Sequence, residues 1–274
     1  MHHAIKLLIE QTRRCYLKNK ITVDWEENMG LEIALTVVGI LIFIITIISA
    51  IIGIWLIVKY YKYNRRANSL GLTGMEIARK ILDDNGLQHI KVKRTGSLFF
   101  GNSYSHYFKK VRLRGLIRHE KSLTSVGMGA QKAALAILDK EGDPDMKKRI
   151  RLIPFVTIGP FAFIPLVIVG ALFDYFVFDQ NGICVIILGS IGFLLYLYSL
   201  ILSIMTLKTE KKAQERAYEI LRADYGMTED ELVALKELFR LYNIQYINDI
   251  ILSTLELIYL ALQIASFVQG NDTP

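Results

Sequence analysis

Long apolar stretches alternate with polar segments along the 274-residue sequence. Four stretches are strongly apolar, and they cover residues 31–58, 152–173, 183–207 and 246–268. A helix of about 20 apolar residues is long enough to cross the hydrocarbon core of a bilayer. The last stretch is weaker than the others because it contains Asn248, Asp249 and Glu256. The pattern therefore predicts a mainly α membrane protein with about four transmembrane helices.

The polar segments between these stretches complete the predicted organisation. We expect a leader extension at 1–30, transmembrane helix 1 at 31–58, a cytoplasmic domain at 59–151, transmembrane helices 2 and 3 with a short external loop at 152–207, a cytoplasmic helical segment at 208–245, transmembrane helix 4 at 246–268 and a tail at 269–274.

The distribution of charge predicts the orientation of these segments. Of the 33 Lys and Arg residues, 21 lie within 59–151 and 7 within 208–245, whereas 174–182 has none. Basic segments stay on the cytoplasmic side of a membrane. We therefore expect a multi-pass cell-membrane protein whose polar domain is cytoplasmic and whose two termini are external. Because the basic residues lie where this topology needs them, the formal net charge of +7 does not indicate a nucleic-acid partner. The expected partner is the lipid bilayer.

The first half of the polar domain has clear local signals. Residues 71–87 are typical of a helix, since Thr73 followed by Glu76 makes a capping box and Gly86 suits a left-handed C-terminal position. Short segments with alternating apolar residues then follow, at 89–93, 97–100 and 109–113. These segments predict a small β ribbon within the helical domain.

A second helix of the polar domain is predicted to begin after Ser122, a good N-cap, and to run through Leu138. The segment 141–144 should end it, because proline disfavours helical geometry at the preceding residue. One face of this helix is expected to be buried, formed by Val126, Ala130, Ala133, Ala134 and Ile137.

The segment after the third apolar stretch predicts two more helices. Residues 208–239 are typical of a helix, a break at Gly226 and a second helix, which Thr228 and Glu231 begin with another capping box. Since no helix-breaking residue separates 183–207 from 208–223, we expect the third transmembrane helix to continue directly into the cytoplasm.

Several of these runs resemble the YugP-type membrane zinc metallopeptidase family. The resemblance lies in GLTGMEIARKILDDNGL at 71–87, KKVRL at 109–113, TLKTEKKAQERAYEIL at 206–221 and MTEDEL at 227–232, and it extends over about residues 60 to 265. It implies a zinc site facing the cytoplasm, with H-E-x-x-H on a helix and a further acidic ligand just after a transmembrane helix. In such a motif two histidines one turn apart bind zinc, and the glutamate serves as general base.

The motif itself is replaced in this chain. The resemblance places its two histidines at Gln131 and Leu135, and its glutamate at Lys132. It places the further acidic ligand at Glu210, which is present, and a polar position two residues later at Lys212, which departs from the family pattern. Leucine cannot bind zinc, glutamine is a poor ligand and a lysine ammonium repels a cation. We therefore expect no metal cofactor, although zinc would be expected if the family motif were intact.

Other candidate ligands are weaker. HEKSL at 119–123 imitates the first half of the motif, but its second ligand position is a leucine, and we expect a solvated loop there. His106, His119, Glu120 and Glu210 would need to converge from distant positions, which nothing in their spacing predicts.

Without zinc, a buried Glu210 would need another partner, because an unpaired buried carboxylate is costly. Lys132 is the expected source of positive charge, with Gln131 donating a hydrogen bond. The alternative is that Glu210 simply points to solvent within its lysine-rich surroundings.

Three functions remain open from the sequence. The preferred interpretation is a catalytically inactive relative of the peptidases, a pseudoenzyme that serves as a binding, scaffold or regulatory subunit for another membrane protein or an active homologue. The second is a membrane-bound zinc metallopeptidase with a non-standard site. The third is a structural or transport-associated component, which Asp249 and Glu256 suggest because they lie seven residues apart on one helix face, and polar groups in a transmembrane helix usually face a bundle interior.

Overall fold

The computed structural model of the chain describes residues 2–95, 101–152, 159–177 and 182–271. It is mainly helical, as predicted, with a small three-stranded sheet. In chain order the elements are α1 His2–Asn64, α2 Gly74–Asp84, β1 Lys91–Arg94, β2 Ser103–Ser105, β3 Lys110–Leu113, α3 Gly115–His119, α4 Leu123–Glu141, α5 Pro144–Leu152, α6 Gly159–Phe176, α7 Ile183–Ala223 and α8 Glu229–Asn271.

Three helices among the described residues are long and apolar enough to cross a membrane. They are Met29–Asn64 in α1, Ile183–Ala223 in α7 and Glu229–Ser266 in α8. The predicted second transmembrane stretch, 152–173, is described only in part, and its apolar helical portion Pro165–Phe176 is shorter. By length and composition, these helices are candidates for three of the four predicted transmembrane helices.

The chain divides into two compact units. One consists of residues 1–46 and 252–274, and thus of the outer parts of α1 and α8. Its described apolar side chains include Ile33, Phe43 and Ile258, which are exposed in the way that lipid-facing residues are. The other unit, residues 47–251, holds the hydrophobic core and the candidate site.

Helix α4 is the centre of the larger unit and packs against α2, α3 and α7. It begins after the Ser122 N-cap, as predicted, and the Ser122 hydroxyl oxygen accepts a hydrogen bond from the backbone N–H of Ser125. It ends within the predicted segment 141–144, but the residue that caps it is Gly142 in the left-handed region and not the proline that was expected to end it. The expectation of a single buried face is wrong, because every residue from Leu123 to Leu138 is buried. Neighbouring elements surround the helix completely, which an apolar pattern on one face does not reveal.

Helix α2 lies directly against α4 with no side chains between the two backbones. The predicted capping box is confirmed, since Thr73 and Glu76 exchange both hydrogen bonds, and Gly86 has the predicted positive φ of 68°. A Cβ atom at Gly74 or at Gly129 would overlap a backbone carbonyl oxygen of the neighbouring segment. This close approach fixes the depth at which α4 lies in the unit.

The sheet contains two of the predicted strand regions. Strand β3 is central, pairing in parallel with β1 and antiparallel with β2. The predicted segments 89–93 and 109–113 correspond to β1 and β3 with shifts of one or two residues at their ends, whereas 97–100 lies outside the described residues. Strand β2 was not predicted, because it has three residues and only one of them, Tyr104, is buried in the core, which is too short for a recognisable alternation.

Helix α7 is continuous over 41 residues, so its apolar half and its polar half form one rigid rod, as predicted. The predicted break after it is confirmed at Gly226, whose φ is 65°. The loop expected at 174–182 is shorter, because α6 continues to Phe176. Asp174, near the end of α6, accepts hydrogen bonds from the backbone N–H groups of Cys184 at 3.0 Å and Val185 at 2.9 Å, and thereby caps α7.

Candidate functional site

A cavity of about 460 Å³ lies in the larger unit, next to α4. Helix α4 contributes Met128, Gln131 and Lys132, whose spacing places them on one helix face. The remaining walls come from α1, α5, α7, α8 and the segments that flank β2 and β3. Leu135, one turn beyond Gln131, is fully buried in the core. Two of the three positions to which the resemblance assigns the motif, Gln131 and Lys132, therefore line the cavity.

Glu210 of α7 lies against these two residues. Its Oε2 atom accepts hydrogen bonds from Lys132 Nζ at 2.7 Å and from Gln131 Nε2 at 2.9 Å. Its Oε1 atom accepts one from Arg149 Nη2 at 3.2 Å, and Arg149 Nη1 donates to Thr209 Oγ1 at 2.8 Å. We call Gln131, Lys132, Arg149 and Glu210 the Glu210 cluster. The contact expected between Lys132 and Glu210 is present, and the alternative of a solvent-directed Glu210 is wrong.

The Glu210 cluster is buried and carries excess positive charge. The side chains of Lys132, Arg149 and Glu210 are 10%, 12% and 13% exposed. Removal of charges from water is costly, and mutual attraction compensates for the cost only when the charges balance and are hydrogen-bonded. Here two cations share one carboxylate, so one positive charge has no carboxylate of its own within the cluster.

A second set of ion pairs holds α5 against α7 and thereby positions Arg149. Lys212 Nζ lies 2.6 Å from both Asp143 Oδ2 and Asp145 Oδ2, and Lys208 Nζ lies 3.0 Å from Asp145 Oδ1. The hydrogen bonds from Lys212 and Lys208 lower the pKa of Asp145. Lys212, which departs from the family pattern, thus takes part in helix packing and points away from Glu210.

Burial alone would raise the pKa of Asp143, but several hydrogen bonds lower it below its ordinary value. One comes from Lys212, and the others come from the backbone N–H groups of Met146 and Asp145, both at 2.9 Å. Asp143 therefore also caps the start of α5. Both aspartates are held in their charged forms.

The residues at the motif positions do not fit zinc. Zinc is held by thiolate, imidazole or carboxylate groups, whereas Gln131 offers an amide, Lys132 an ammonium and Leu135 no donor atom. Lys132 Nζ forms an ion pair with Glu210, the acidic residue that lies next to these positions. Within the described ranges, moreover, no group of three His, Cys, Asp or Glu side chains lies close enough together to hold a metal ion.

The weaker candidates lie apart from the Glu210 cluster. His106 Nδ1 lies 2.6 Å from Asp139 Oδ2, and the Tyr104 hydroxyl donates to the same oxygen at 2.6 Å. Burial, followed by this hydrogen bond, raises the pKa of Tyr104. His119 and Glu120 are exposed at the end of α3 and in the loop that follows. The expectation of a solvated loop at 119–123 holds only for its first part, because Ser122 and Leu123 are buried at the start of α4. The structure therefore does not bring these groups together with Glu210.

The two carboxylates of the last transmembrane helix are exposed within this chain. Gln245 Nε2 donates to Asp249 Oδ1 at 2.8 Å and to Ser49 Oγ at 3.0 Å, and Glu256 lies two turns further along α8. Both Asp249 and Glu256 are exposed. The expectation that they face a bundle interior is therefore not met by the helices of this chain.

Sequence reasoning missed two basic residues that line the cavity, Arg149 and Arg114. Arg149 is one of four basic residues in α5, and helical spacing alone does not identify the one that faces α7. Arg114 lies directly after β3, where the turn into α3 sets its direction. Neither position carries a local sequence signal.

The geometry defines a class of protein: a mainly helical protein with three described helices long and apolar enough to cross a membrane, and with a buried site between α4 and the polar half of α7. Comparison with known families agrees with this class, since residues 38–265 match the family described as "Putative neutral zinc metallopeptidase". The chain belongs to this family.

A curated relative extends the comparison. The chain is similar to the "Putative membrane protease YugP" of Bacillus subtilis (strain 168), with 23% identity over 219 residues, which cover 78% of this chain and 89% of the relative. No solved structure shows significant similarity to this chain.

Proposed function

We propose that this chain is a catalytically inactive member of the zinc metallopeptidase family that acts as a binding, scaffold or regulatory subunit in the membrane. The observation that carries the proposal is the contact of Lys132 with Glu210. A lysine in place of the general base cannot accept a proton from water while it is charged, and its ammonium lies next to the acidic residue that the resemblance assigns to the metal. The fold is thus retained, while the chemistry of the motif is replaced.

The hydrogen bonds of the Glu210 cluster support the idea that these side chains link two helices in place of a metal ion. In a family site, a zinc ion would link the helix of the motif to the helix of the acidic ligand. In this chain Lys132 and Gln131 of α4 link to Glu210 of α7 by hydrogen bonds of 2.7 and 2.9 Å. The proposed consequence is that the two helices stay joined without a metal, so the domain can serve as a stable surface for a partner.

The proposed topology has four transmembrane helices with the polar domain in the cytoplasm and both termini outside. The apolar helix α6 supports the fourth crossing, because a link of six residues, 177–182, joins it to α7 and the two helices pack against each other. Because α6 is apolar and packs against α7, we propose that it crosses the bilayer beside it. Labelling of single cysteines at each terminus in intact cells tests this arrangement.

The experiment for inactivity combines metal analysis with a peptidase assay on one purified, detergent-solubilised preparation. We expect zinc far below one ion per chain and no chelator-sensitive cleavage of casein. The matched variant restores the motif by Gln131→His, Lys132→Glu and Leu135→His, and we expect it to bind about one zinc ion per chain. Addition of Glu210→Gln to this variant should lower its zinc content, because the acidic ligand is removed.

The outcome that contradicts the proposal is a wild-type preparation with one zinc per chain and chelator-sensitive cleavage. For the scaffold role, crosslinking in native membranes should recover another membrane protein or an active homologue with wild type. A variant of the exposed polar surface that abolishes this crosslink while the Tm stays unchanged would support a specific contact. Recovery of the same proteins with every variant would contradict it.

A further inference from the structure

The cavity beside the Glu210 cluster carries more positive charge than the cluster alone. Arg114 lines the cavity together with Lys132 and Arg149. Glu210 is the single carboxylate among the described residues that line it. Three cations therefore face one carboxylate, which leaves an excess of two positive charges in a cavity of about 460 Å³.

Neighbouring acidic residues do not compensate for this excess. Asp143 and Asp145 are committed to Lys212 and Lys208 on the far side of α5. The Arg114 guanidinium forms no ion pair with any residue that the structure describes.

Lys132 and Arg149 are buried, so the positive charge that they carry in excess of Glu210 is held partly out of water, which is costly. Arg114 is exposed and adds a solvated positive charge. Entry of an anion would offset the cost of the buried charge.

The cavity lies where the apolar stretches end. Tyr60 follows the stretch 31–58 by two residues, Thr206 is at the end of 183–207 and Tyr246 begins 246–268, and all three line the cavity. Tyrosine and basic residues are typical of the boundary between bilayer and water. These positions predict that the cavity lies at the depth of lipid headgroups, and the exposed Arg114 opens it to solvent.

We propose that this cavity binds the phosphate of a phosphomonoester, supplied by a lipid headgroup or by a soluble phosphate ester. A phosphomonoester carries close to two negative charges at neutral pH, which matches the excess of the cavity. Arginine binds phosphate with two parallel hydrogen bonds, and lysine binds it as a point charge. Lys132 and Arg149 hold their positions through Glu210, while Arg114 at the mouth contributes a guanidinium without an ion-pair partner among the described residues.

This inference rests on the proposed function, because a zinc ion at the same place would add positive charge and displace Lys132. The inference also goes beyond the proposed function, because it names the chemical class of the ligand. The replacement of the family motif thus has a second consequence: a site that would attract a metal cation becomes a site that attracts an anion.

The test uses the full chain in dodecyl maltoside micelles at fixed ionic strength, with the Tm as readout. Micelles are doped with phosphatidic acid or with diacylglycerol, which differ only in the phosphate group. Separate samples receive inorganic phosphate or glycerol 3-phosphate in place of chloride. We expect the phosphate-bearing ligands to raise the Tm by about 5 °C or more at a hundredfold excess over the dissociation constant, and diacylglycerol to leave it unchanged.

The two sources of phosphate are distinguished by concentration. A rise with phosphatidic acid at far lower concentration than with inorganic phosphate or glycerol 3-phosphate assigns the ligand to lipid. Comparable rises with all three assign it to soluble phosphate esters. No rise with any of them, or an equal rise with diacylglycerol, overturns the proposal.

Arg114→Gln is the variant that tests the site, and Arg151→Gln is its control, since Arg151 is an exposed arginine of α5 that does not line the cavity. We expect the phosphate-dependent rise to fall at least threefold in Arg114→Gln and to persist in Arg151→Gln. Arg114→Lys keeps the charge and should keep part of the rise, which separates binding from folding. An undiminished rise in Arg114→Gln contradicts the assignment.

Zinc content measured on the same preparation separates this inference from the proposed function. A preparation without zinc that shows no phosphate effect overturns the anion site and leaves the proposal of inactivity standing. A preparation with one zinc per chain and peptidase activity overturns the proposal of inactivity, whatever phosphate does.

Discussion

Lys132 Nζ lies 2.7 Å from Glu210 Oε2, so a cation on α4 meets a carboxylate on α7 inside the protein. The resemblance to zinc metallopeptidases assigns the general base to position 132 and an acidic ligand to position 210. Here the side chains at these two positions attract each other directly, and the pair links α4 to α7.

The charge imbalance of the Glu210 cluster predicts unequal effects of two substitutions. Glu210→Gln leaves Lys132 and Arg149 without their common carboxylate, and we expect a loss of about 3–5 kcal/mol in the free energy of unfolding. Lys132→Met removes the excess cation, leaves Glu210 paired with Arg149 and fills a similar volume. We expect a change of less than about 1.5 kcal/mol in either direction. Denaturant titrations in detergent micelles measure both.

The control for this comparison is an exposed ion pair between α4 and α7. Arg216 Nη2 lies 3.0 Å from Glu141 Oε1, with side chains 40% and 48% exposed. Because surface pairs contribute little, Glu141→Gln should cost less than about 1 kcal/mol. If Glu210→Gln lowered the free energy of unfolding as little as Glu141→Gln does, the Glu210 cluster would not carry the buried charge that we assign to it.

The contacts of α5 with α7 predict a dependence of stability on acid. The folded state lowers the pKa of Asp143 and of Asp145 below the values of the unfolded chain. The stabilisation is therefore fully present above the unfolded value, which is about 3.9 for aspartate, and is lost as pH falls through the lower folded values. We expect the Tm to fall as pH decreases below about 4.

A double variant isolates this contribution. Asp143→Asn with Asp145→Asn removes both charges while asparagine at 143 still caps α5. We expect a lower Tm at pH 7 and a weaker dependence on acid than in wild type. Asp224→Asn, at an exposed position after α7, is the matched control and should follow wild type. An unchanged acid dependence in the double variant would show that other carboxylates are responsible.

Because the backbones of α2 and α4 are in contact, we expect the addition of one methyl group at Gly129 to destabilise the protein. Gly129→Ala would place a Cβ atom against the carbonyl of Gly74, and backbone atoms there have no room to move. We expect a loss of about 1–3 kcal/mol, measured by the same titrations. Gly53→Ala in α1 is the control, because its nearest neighbour is Gln245 Oε1 at 3.9 Å, and it should be neutral or slightly stabilising. Equal effects at the two positions would contradict this packing.

Local chemistry made α2 and α4 predictable from the sequence. The Thr73–Glu76 capping box, the Ser122 N-cap and Gly86 act within a few residues, so their signals survive without knowledge of the fold. The apolar stretches were equally clear, because a bilayer demands a long uninterrupted helix. The assignment of the motif to positions 131, 132 and 135 rested on family resemblance and not on spacing.

Contacts between segments that are far apart in the sequence could not be predicted from such local signals. Arg149 and Arg114 reach the cavity because α5 and the turn after β3 have particular directions, which no periodic pattern encodes. The complete burial of α4 likewise depends on neighbours that arrive from α2, α3 and α7. Thr228 and Glu231 show the limit clearly: the predicted capping box forms in part, with Thr228 N donating to Glu231 Oε2 at 3.4 Å, while the carboxylate also binds a segment 162 residues away.

The contact between Glu231 and Ser69 leads to the last prediction. Glu231 is buried and accepts hydrogen bonds from the Ser69 backbone N–H at 2.7 Å and from the Ser69 hydroxyl at 2.5 Å. It thereby joins the segment between α1 and α2 to the start of α8. Glu231→Ala leaves these donors without their acceptor, and we expect a loss of about 1–3 kcal/mol together with faster hydrogen exchange at the Ser69 amide.

The control is Glu229→Ala, because Glu229 is on the same first turn of α8 but is exposed and pairs with Arg222 at the surface, at 3.0 Å. It should cost less than about 1 kcal/mol and leave exchange at Ser69 unchanged. Glu231→Gln keeps one acceptor oxygen and should fall between the two, since one of the Ser69 donors retains a partner. Glu229 and Glu231 both lie in the first turn of α8. If Glu231 acted only on the start of this helix, the two alanine variants would have similar effects. Faster exchange at Ser69 in Glu231→Ala alone would instead show that this carboxylate fixes the entry of the chain into α2, and with it the position of α2 against α4.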